Sequence, residues 1–529
     1  MFGFSSSWHV LRYFLSATLI AFTTSAYADN LVIGIKDTPF TIDPHFNTSP
    51  GPNQITRQIF EPLVRVNADM KLEPMLATSW ENVDDTTWIF HLRKDVKWHD
   101  GSPFTADDVV FSYARAPNVP NATNRFTSYL SSVKSVEIED PLTIRITTNQ
   151  PAPTLPENLN YVGIVSKKHG ENATTDDYHS GKAMVGTGPY KFVSWTLNDN
   201  VQLQRNENYW SAKEPWERVT YRVMPNDATR VAALLAGDLD AIDQVPSQDL
   251  KRLRETPSVS TYTKPTIRLV WYSLSVSNAA LDSGLITGPN GERLAENPLA
   301  NKKVREALKL SVDTKLLLER LYVGEGQATA QVTPVGAVGT NPEVKPWAAN
   351  PEKAKALLQE SGWAGKFKLK LRVPNQLFLF SNEVAQIVAQ YWSRIGVPTS
   401  VETPALPVFL KDAHPGNIGP YIISILNVTG ASDFLYRTAL HSRDMDMGLG
   451  TFNFGRYSNP ELDGVTKKAE RTMNRSQWGK LYEQAAVLVA DDAMTVPLFF
   501  MGETVATRKG LNVEQRFDGM VFASTIRKK

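Results

Sequence analysis

The chain has 529 residues, 42% hydrophobic and 21% charged, with 56 Lys and Arg against 55 Asp and Glu. That length allows about three or four domain-sized units; the composition excludes a mainly disordered chain, and the absence of a basic excess argues against nucleic acid as partner. Cysteine is absent, which removes disulfides, thiolate zinc sites, iron–sulfur clusters and thiol nucleophiles together.

Residues 1–28 read as a cleaved secretory signal. Arg12 precedes an apolar run from Tyr13 to Thr23, and Ala26-Tyr27-Ala28 suits cleavage before Asp29. The run is shorter than the ~20 residues that span a bilayer. No later stretch reaches spanning length, so the mature protein is expected to be soluble, near neutral and exported.

In chain order, Leu31 to Ile35 opens the mature protein as a short apolar strand. Trp88, Phe90 and Leu92 alternate with Thr87, His91 and Arg93, the pattern of a half-buried strand. Thr105 followed by Asp107-Asp108 predicts a helix cap with an acidic first turn. Leu142, Ile144 and Ile146 alternate with Thr143, Arg145 and Thr147. Val304, Ala307, Leu308, Ser311 and Val312 share a face of a helix expected over Lys302–Leu321. A further helix is expected over Pro351–Ser361, between Pro and Gly punctuation. Phe367, Leu369, Leu371 and Val373 alternate with Lys366, Lys368, Lys370 and Arg372, giving a greasy and a cationic strand face. Helices follow over Glu383–Ile395, with Gly396 as its stop, and around Trp478, Leu481, Ala485 and Leu488. Alternating strand and helix signals make this an α/β chain.

Catalytic patterns are missing. There is no phosphate-binding Gly loop ending in Lys-Ser/Thr, no His-Glu-x-x-His and no Gly-x-Ser-x-Gly. The eight histidines stand apart from one another, so no helical metal pair forms and no metal or cofactor is expected. The acidic pairs Asp84-Asp85, Asp107-Asp108 and Asp491-Asp492 are the only support for a secreted hydrolase, which needs two carboxylates facing each other across a cleft. Trp271-Tyr272, after Ile267–Val270, are candidates for an aromatic ligand face, with core packing the alternative.

Several stretches together resemble the extracytoplasmic solute-binding proteins of ABC importers, family 5, the large peptide and nickel class of cluster C. They are Leu72-Glu73-Pro74-Met75-Leu76-Ala77-Thr78-Ser79-Trp80-Glu81 running into Thr87 through Val109; Gly186-Thr187-Gly188-Pro189-Tyr190 with Asn206 to Trp210; Ala233 to Asp240; Val304-Arg305-Glu306-Ala307-Leu308; and Tyr457-Ser458-Asn459-Pro460-Glu461-Leu462-Asp463. The resemblance implies a bilobed periplasmic-binding-protein fold of type II. Lobe 1 would be 29–56, 185–275 and 485–529, with an inserted subdomain at 57–184, and lobe 2 would be 276–484. It also implies a monomer that closes on a solute and delivers it to permease subunits in the inner membrane, without catalysis and without nucleic acid.

Members of this family bind peptides, nickel complexes, haem, opines and oligosaccharides. The peptide binders carry an Asp for the ligand's α-amino group a few residues before Phe-Leu. The matching stretch here, Ile425 to Leu435, is shortened; Ala431 falls nearest that position and Asp433 is the only local carboxylate. The dipeptide binders also carry an Arg in the loop after the strand matching Leu369–Val373, where this chain has Pro374-Asn375-Gln376-Leu377-Phe378. Loss of both charged anchors argues against a free dipeptide. Asn375, Gln376, Asn427 and Thr429 suit a solute rich in neutral polar groups, such as a longer or modified peptide. An opine, a sugar conjugate, haem or a nickel chelate is the alternative. The resemblance also brings the loop Asp43–Ser49 to the cleft, with Thr48 and Ser49 as hydrogen-bonding candidates.

Overall fold

The computed structural model describes Met1, Gly3 and residues 29–529 apart from Asn124, Val428 and Asp446. The expected signal segment thus lies, but for Met1 and Gly3, outside the described residues. Among the described residues no helix is long and apolar enough to cross a membrane.

A 12-stranded sheet runs through the molecule. Two long strands, Val259–Ser273 and Thr495–Arg508, lie antiparallel at its centre, with Val259 opposite Arg508 and Ser273 opposite Thr495. One half of the sheet continues through Ala241–Ile242 to Asn30–Ile35, Arg218–Val223, Asn200–Arg205 and Tyr190–Thr196. The other half continues through Tyr421–Leu426 to Lys368–Arg372 and Ile286–Thr287, with Thr399–Glu402 also on Lys368–Arg372. Both halves are thus tied together by the same two strands.

Separate cores follow this division. Leu31, Ile33, Ile55, Tyr190, Val219 and Val505 belong to the core of the first half. Val304, Leu308, Leu369, Leu371, Val388 and Trp392 belong to the core of the second. A third core lies within residues 63–164, on the four-stranded sheet Ala77–Asp84, Thr87–Leu92, Thr143–Thr148 and Val133–Asp140.

The local reasons are those of the sequence patterns. Phe367, Leu369, Leu371 and Val373 are buried while Lys366, Lys368 and Lys370 are exposed. Arg372 departs from the cationic face: it is buried and pairs with Asp412 at 3.0 Å. Thr105 caps the helix Ala106–Arg115, and its backbone N–H donates to Asp108 Oδ2 at 3.0 Å, so that carboxylate works as a cap. Asp491 pairs with Lys302, and Asp492 accepts from Tyr457 and Asn459, so that pair is structural as well. The single helix expected over 302–321 is two helices, Lys302–Ser311 and Thr314–Tyr322. Val312 is extended, and Asp313 caps the second helix by accepting from Leu316 N at 2.9 Å. Gly186 belongs to a close chain crossing, where a Cβ would stand 1.8 Å from the Ile59 carbonyl oxygen.

Candidate functional site

The two central strands break register between Pro265 and Leu269. Proline has no N–H for the ladder. Beyond it the chain turns to other partners: Thr266 Oγ1 donates to Met501 O at 2.9 Å and Ile267 N to Phe517 O at 2.9 Å. Arg268 is thereby presented to a cavity of about 870 Å³. Lys36, Asp37 and Gly51, at the end of the first strand and the start of the helix Pro50–Thr56, form one wall. Residues 376–383 form the opposite wall, and residues 501–504 of the second central strand form the floor. Both halves of the sheet therefore contribute to one cavity at their junction, and its size falls within the range of small-molecule sites.

Backbone strain is concentrated here. Among the described residues ten non-glycine residues have positive φ, and three of them, Gln244 (43°), Gln376 (55°) and Phe380 (60°), line this cavity. Such conformations cost of order 1–3 kcal/mol each and persist where surrounding contacts impose them.

Carboxylates outnumber cations around the cavity. Asp227 is paired with Lys36 and with Arg230, and Asp518 with Arg516. Asp243 accepts from Lys36 N at 2.9 Å; burial pushes its carboxyl up to about 7 against the pull of the Arg230 charge. Glu503 is also pushed up to about 7, by burial first; Arg268 opposes this, and Asp37 and Asp518 add to it.

The sequence-based candidates separate into five places. Gln376 lines the cavity; Asn375, beside it, is exposed and accepts from Asn382, which lines the cavity too. Thr48 and Ser49 immediately precede the cavity residues Pro50 and Gly51. The Thr48 side chain hydrogen-bonds the Tyr129 phenol, and Ser49 occupies the N-cap position of the helix Pro50–Thr56. Asn427 and Thr429 are buried and bonded internally: Asn427 Nδ2 donates to Ala431 O at 2.9 Å and Thr429 Oγ1 to Asn427 Oδ1 at 3.2 Å. Trp271 and Tyr272 are corrected to core residues. They are buried in different cores, Trp271 donating to Ser273 Oγ and Tyr272 packed edge-on against Trp392. That strand is covered on both faces, so consecutive aromatics both pack.

Asp433 lies at a second junction. Its carboxylate accepts from Thr154 Oγ1 at 3.0 Å, and nearby Arg475 pairs with Glu157. These bonds join the unit of residues 63–164 to the second half of the main sheet. Burial raises the carboxyls of Asp433, Glu157 and Glu470, while Arg437 or Arg475 opposes it at each.

The sequence reading missed Arg268, Asp37 and Glu503. A signal was present for two of them. Arg268 interrupts Ile267–Val270, and Glu503 stands alone in the largely apolar stretch 496–506; a lone charge in a strand that must be buried has a reason to be there.

Residues 71–447 match the model of the bacterial extracellular solute-binding proteins, family 5 (middle). The chain belongs to this family. It is 30% identical over 476 residues to heme-binding protein A of Haemophilus influenzae, covering 84% of this chain and 82% of that protein. It is 26% identical over 514 residues to the dipeptide-binding protein of Escherichia coli, covering 90% and 91%. The solved structure of HbpA2 from Haemophilus parasuis superposes with a TM-score of 0.80 at 25% identity, covering 94% of this chain and all (100%) of that one. The fold is the bilobed α/β fold of periplasmic binding proteins. This family 5 member is a solute-binding protein for ABC import, and its relatives are binding proteins rather than enzymes.

Proposed function

We propose that this chain captures a peptide-like solute, a longer or modified peptide rather than a free dipeptide, and hands it to inner-membrane permease subunits. The lobes that close on the solute are 29–56 with 185–275 and 485–529, carrying the subdomain 57–184, and 276–484. A signal peptide at 1–28 takes the protein to the periplasm, where it acts as a monomer. The observation that carries this reading is the cavity of about 870 Å³ at the junction of the two sheet halves. Its polar walls, with Gln54, Gln244, Gln376 and Asn382, offer neutral hydrogen-bonding groups suited to amides. Titration of the mature protein with tripeptides by calorimetry tests the reading. Binding at one site without turnover supports it, and release of any cleaved product overturns it.

Haem is the second reading, because the relative at 30% identity is named a heme-binding protein. Met501 and Met520 line the cavity, and thioether sulfur is a haem ligand in some proteins. A Soret band shift on adding haemin, with no heat from tripeptides, would favour haem.

A further inference from the structure

Arg268 and Glu503 face the same cavity from neighbouring central strands. Among the described residues neither side chain makes a hydrogen bond or an ion pair, not even with the other. Glu503 is half-buried and seated against the backbone of Gly519, where a Cβ would stand 2.2 Å from its Oε2. Glycine at 519 leaves room for the carboxylate in that position.

An unpaired carboxylate in such a setting is unfavourable, since burial removes its water and gives it nothing in exchange. Glu383, also on the cavity wall, is exposed to solvent, and the remaining carboxylates of the cavity are served by the protein. Asp227 and Asp518 have ion pairs, Asp243 has the Lys36 N–H, Glu325 has Thr263 and Thr504, and Asp37 accepts from Gln244 Nε2 at 3.0 Å. Lys36 is engaged by Asp227, so among the described residues Arg268 is left as the free cation of the cavity, facing Asp37 and Glu503. The electrostatic balance of the cavity lining is negative, and its most poorly served buried charge is Glu503. Burial, with Asp37 and Asp518 nearby, pushes that carboxyl up to about 7 although Arg268 acts against the shift. A cation in the cavity would relieve this.

We propose that the solute carries a positive group other than a chain-terminal amine, an ammonium or a guanidinium, which seats against Glu503, so that Glu503 sets a preference for cationic solutes. This rests on the solute-binding reading of the cavity. Arg268 takes the anionic end of the same solute, which keeps its two ends in a fixed direction between the strands.

The test is calorimetry on the full mature chain, stripped of retained solute, with four probes: Ala-Ala-Ala, Ala-Lys-Ala, Ala-Glu-Ala and 1,5-diaminopentane. The expected order is Ala-Lys-Ala about tenfold tighter than Ala-Ala-Ala, with Ala-Glu-Ala weakest, and Glu503→Gln brings the three tripeptides to a common affinity. Equal affinities in the unaltered protein overturn the cation preference and leave peptide capture standing. So does a preference for Ala-Lys-Ala that survives Glu503→Gln. Binding of 1,5-diaminopentane that depends on Glu503, without any tripeptide binding, supports the role of Glu503 and overturns peptide capture. Binding of none of the four overturns both. A thermal melt keeps the variant interpretable: a neutral amide replaces a poorly served charge, so Glu503→Gln is expected to melt at or above the unaltered protein at pH 8.

Discussion

Asp43 is fully enclosed and held by three neighbours: Arg115 donates to it twice, at 2.9 and 2.7 Å, Thr175 Oγ1 donates at 2.9 Å, and the His45 backbone N–H donates at 3.0 Å. This clasp fixes the loop that carries Thr48 and Ser49 toward the cavity. Arg115→Leu strands a buried carboxylate and is expected to lower stability by about 3–5 kcal/mol, measured by urea unfolding. His45, two residues on, has its imidazole held down at about 4, by burial first and then by the Arg115 charge, with Asp43 and the Gly163 carbonyl acting in the other direction. Between pH 6.5 and 4 the unfolded chain therefore binds a proton that the folded chain refuses. Stability falls as pH drops through that window, by up to about 3 kcal/mol from this residue. Unfolding curves at pH 7 and pH 4.5 check this, and His45→Asn should reduce the difference, with His99, held down to about 4 by burial as well, accounting for part of the rest. At this scale the sequence was least legible. Neutral amides at Asn375 and Gln376 were visible, but the charges at Arg268 and Glu503 reach the cavity only because a register break turns one strand and a glycine makes room beside the other.

Elements were more legible than residues, because periodicity reports burial directly. The alternation from Lys366 to Leu371 and the Thr105 cap are both found as read, and only Arg372 leaves the exposed face. The helix pair at Lys302–Ser311 and Thr314–Tyr322 was not separable by periodicity, since apolar residues continue across Val312. The signal lay in Asp313, a residue that prefers the cap position. Asp313→Ala is expected to lower stability by about 1 kcal/mol, whereas Asp313→Asn should change it little; thermal melts of the two variants check the difference. Trp271 and Tyr272 were ambiguous for a different reason: sequence does not show that both faces of a strand are covered.

At the scale of the whole molecule, the family motifs extend over most of the chain, which is why the bilobed fold could be read before any coordinate was known. The contacts between units could not. Thr154 with Asp433, and Glu157 with Arg475, bring together residues nearly three hundred positions or more apart in sequence. These bonds join the unit of residues 63–164 to the second half of the main sheet. Arg475→Ala leaves the buried Glu157 carboxylate without its partner and is expected to lower stability by about 1–3 kcal/mol in urea unfolding. An unchanged unfolding curve would show that ion pair to be incidental.

The most direct measurement is a crystal structure of the mature protein with the solute it retains when purified from periplasmic extract without denaturation. Capture between the lobes predicts a single solute in the cavity bounded by Gly51, Gln376 and Glu503, with a positive group beside the Glu503 carboxylate. A solute bound elsewhere, for example in the smaller groove between Arg57 and Arg516, would contradict it.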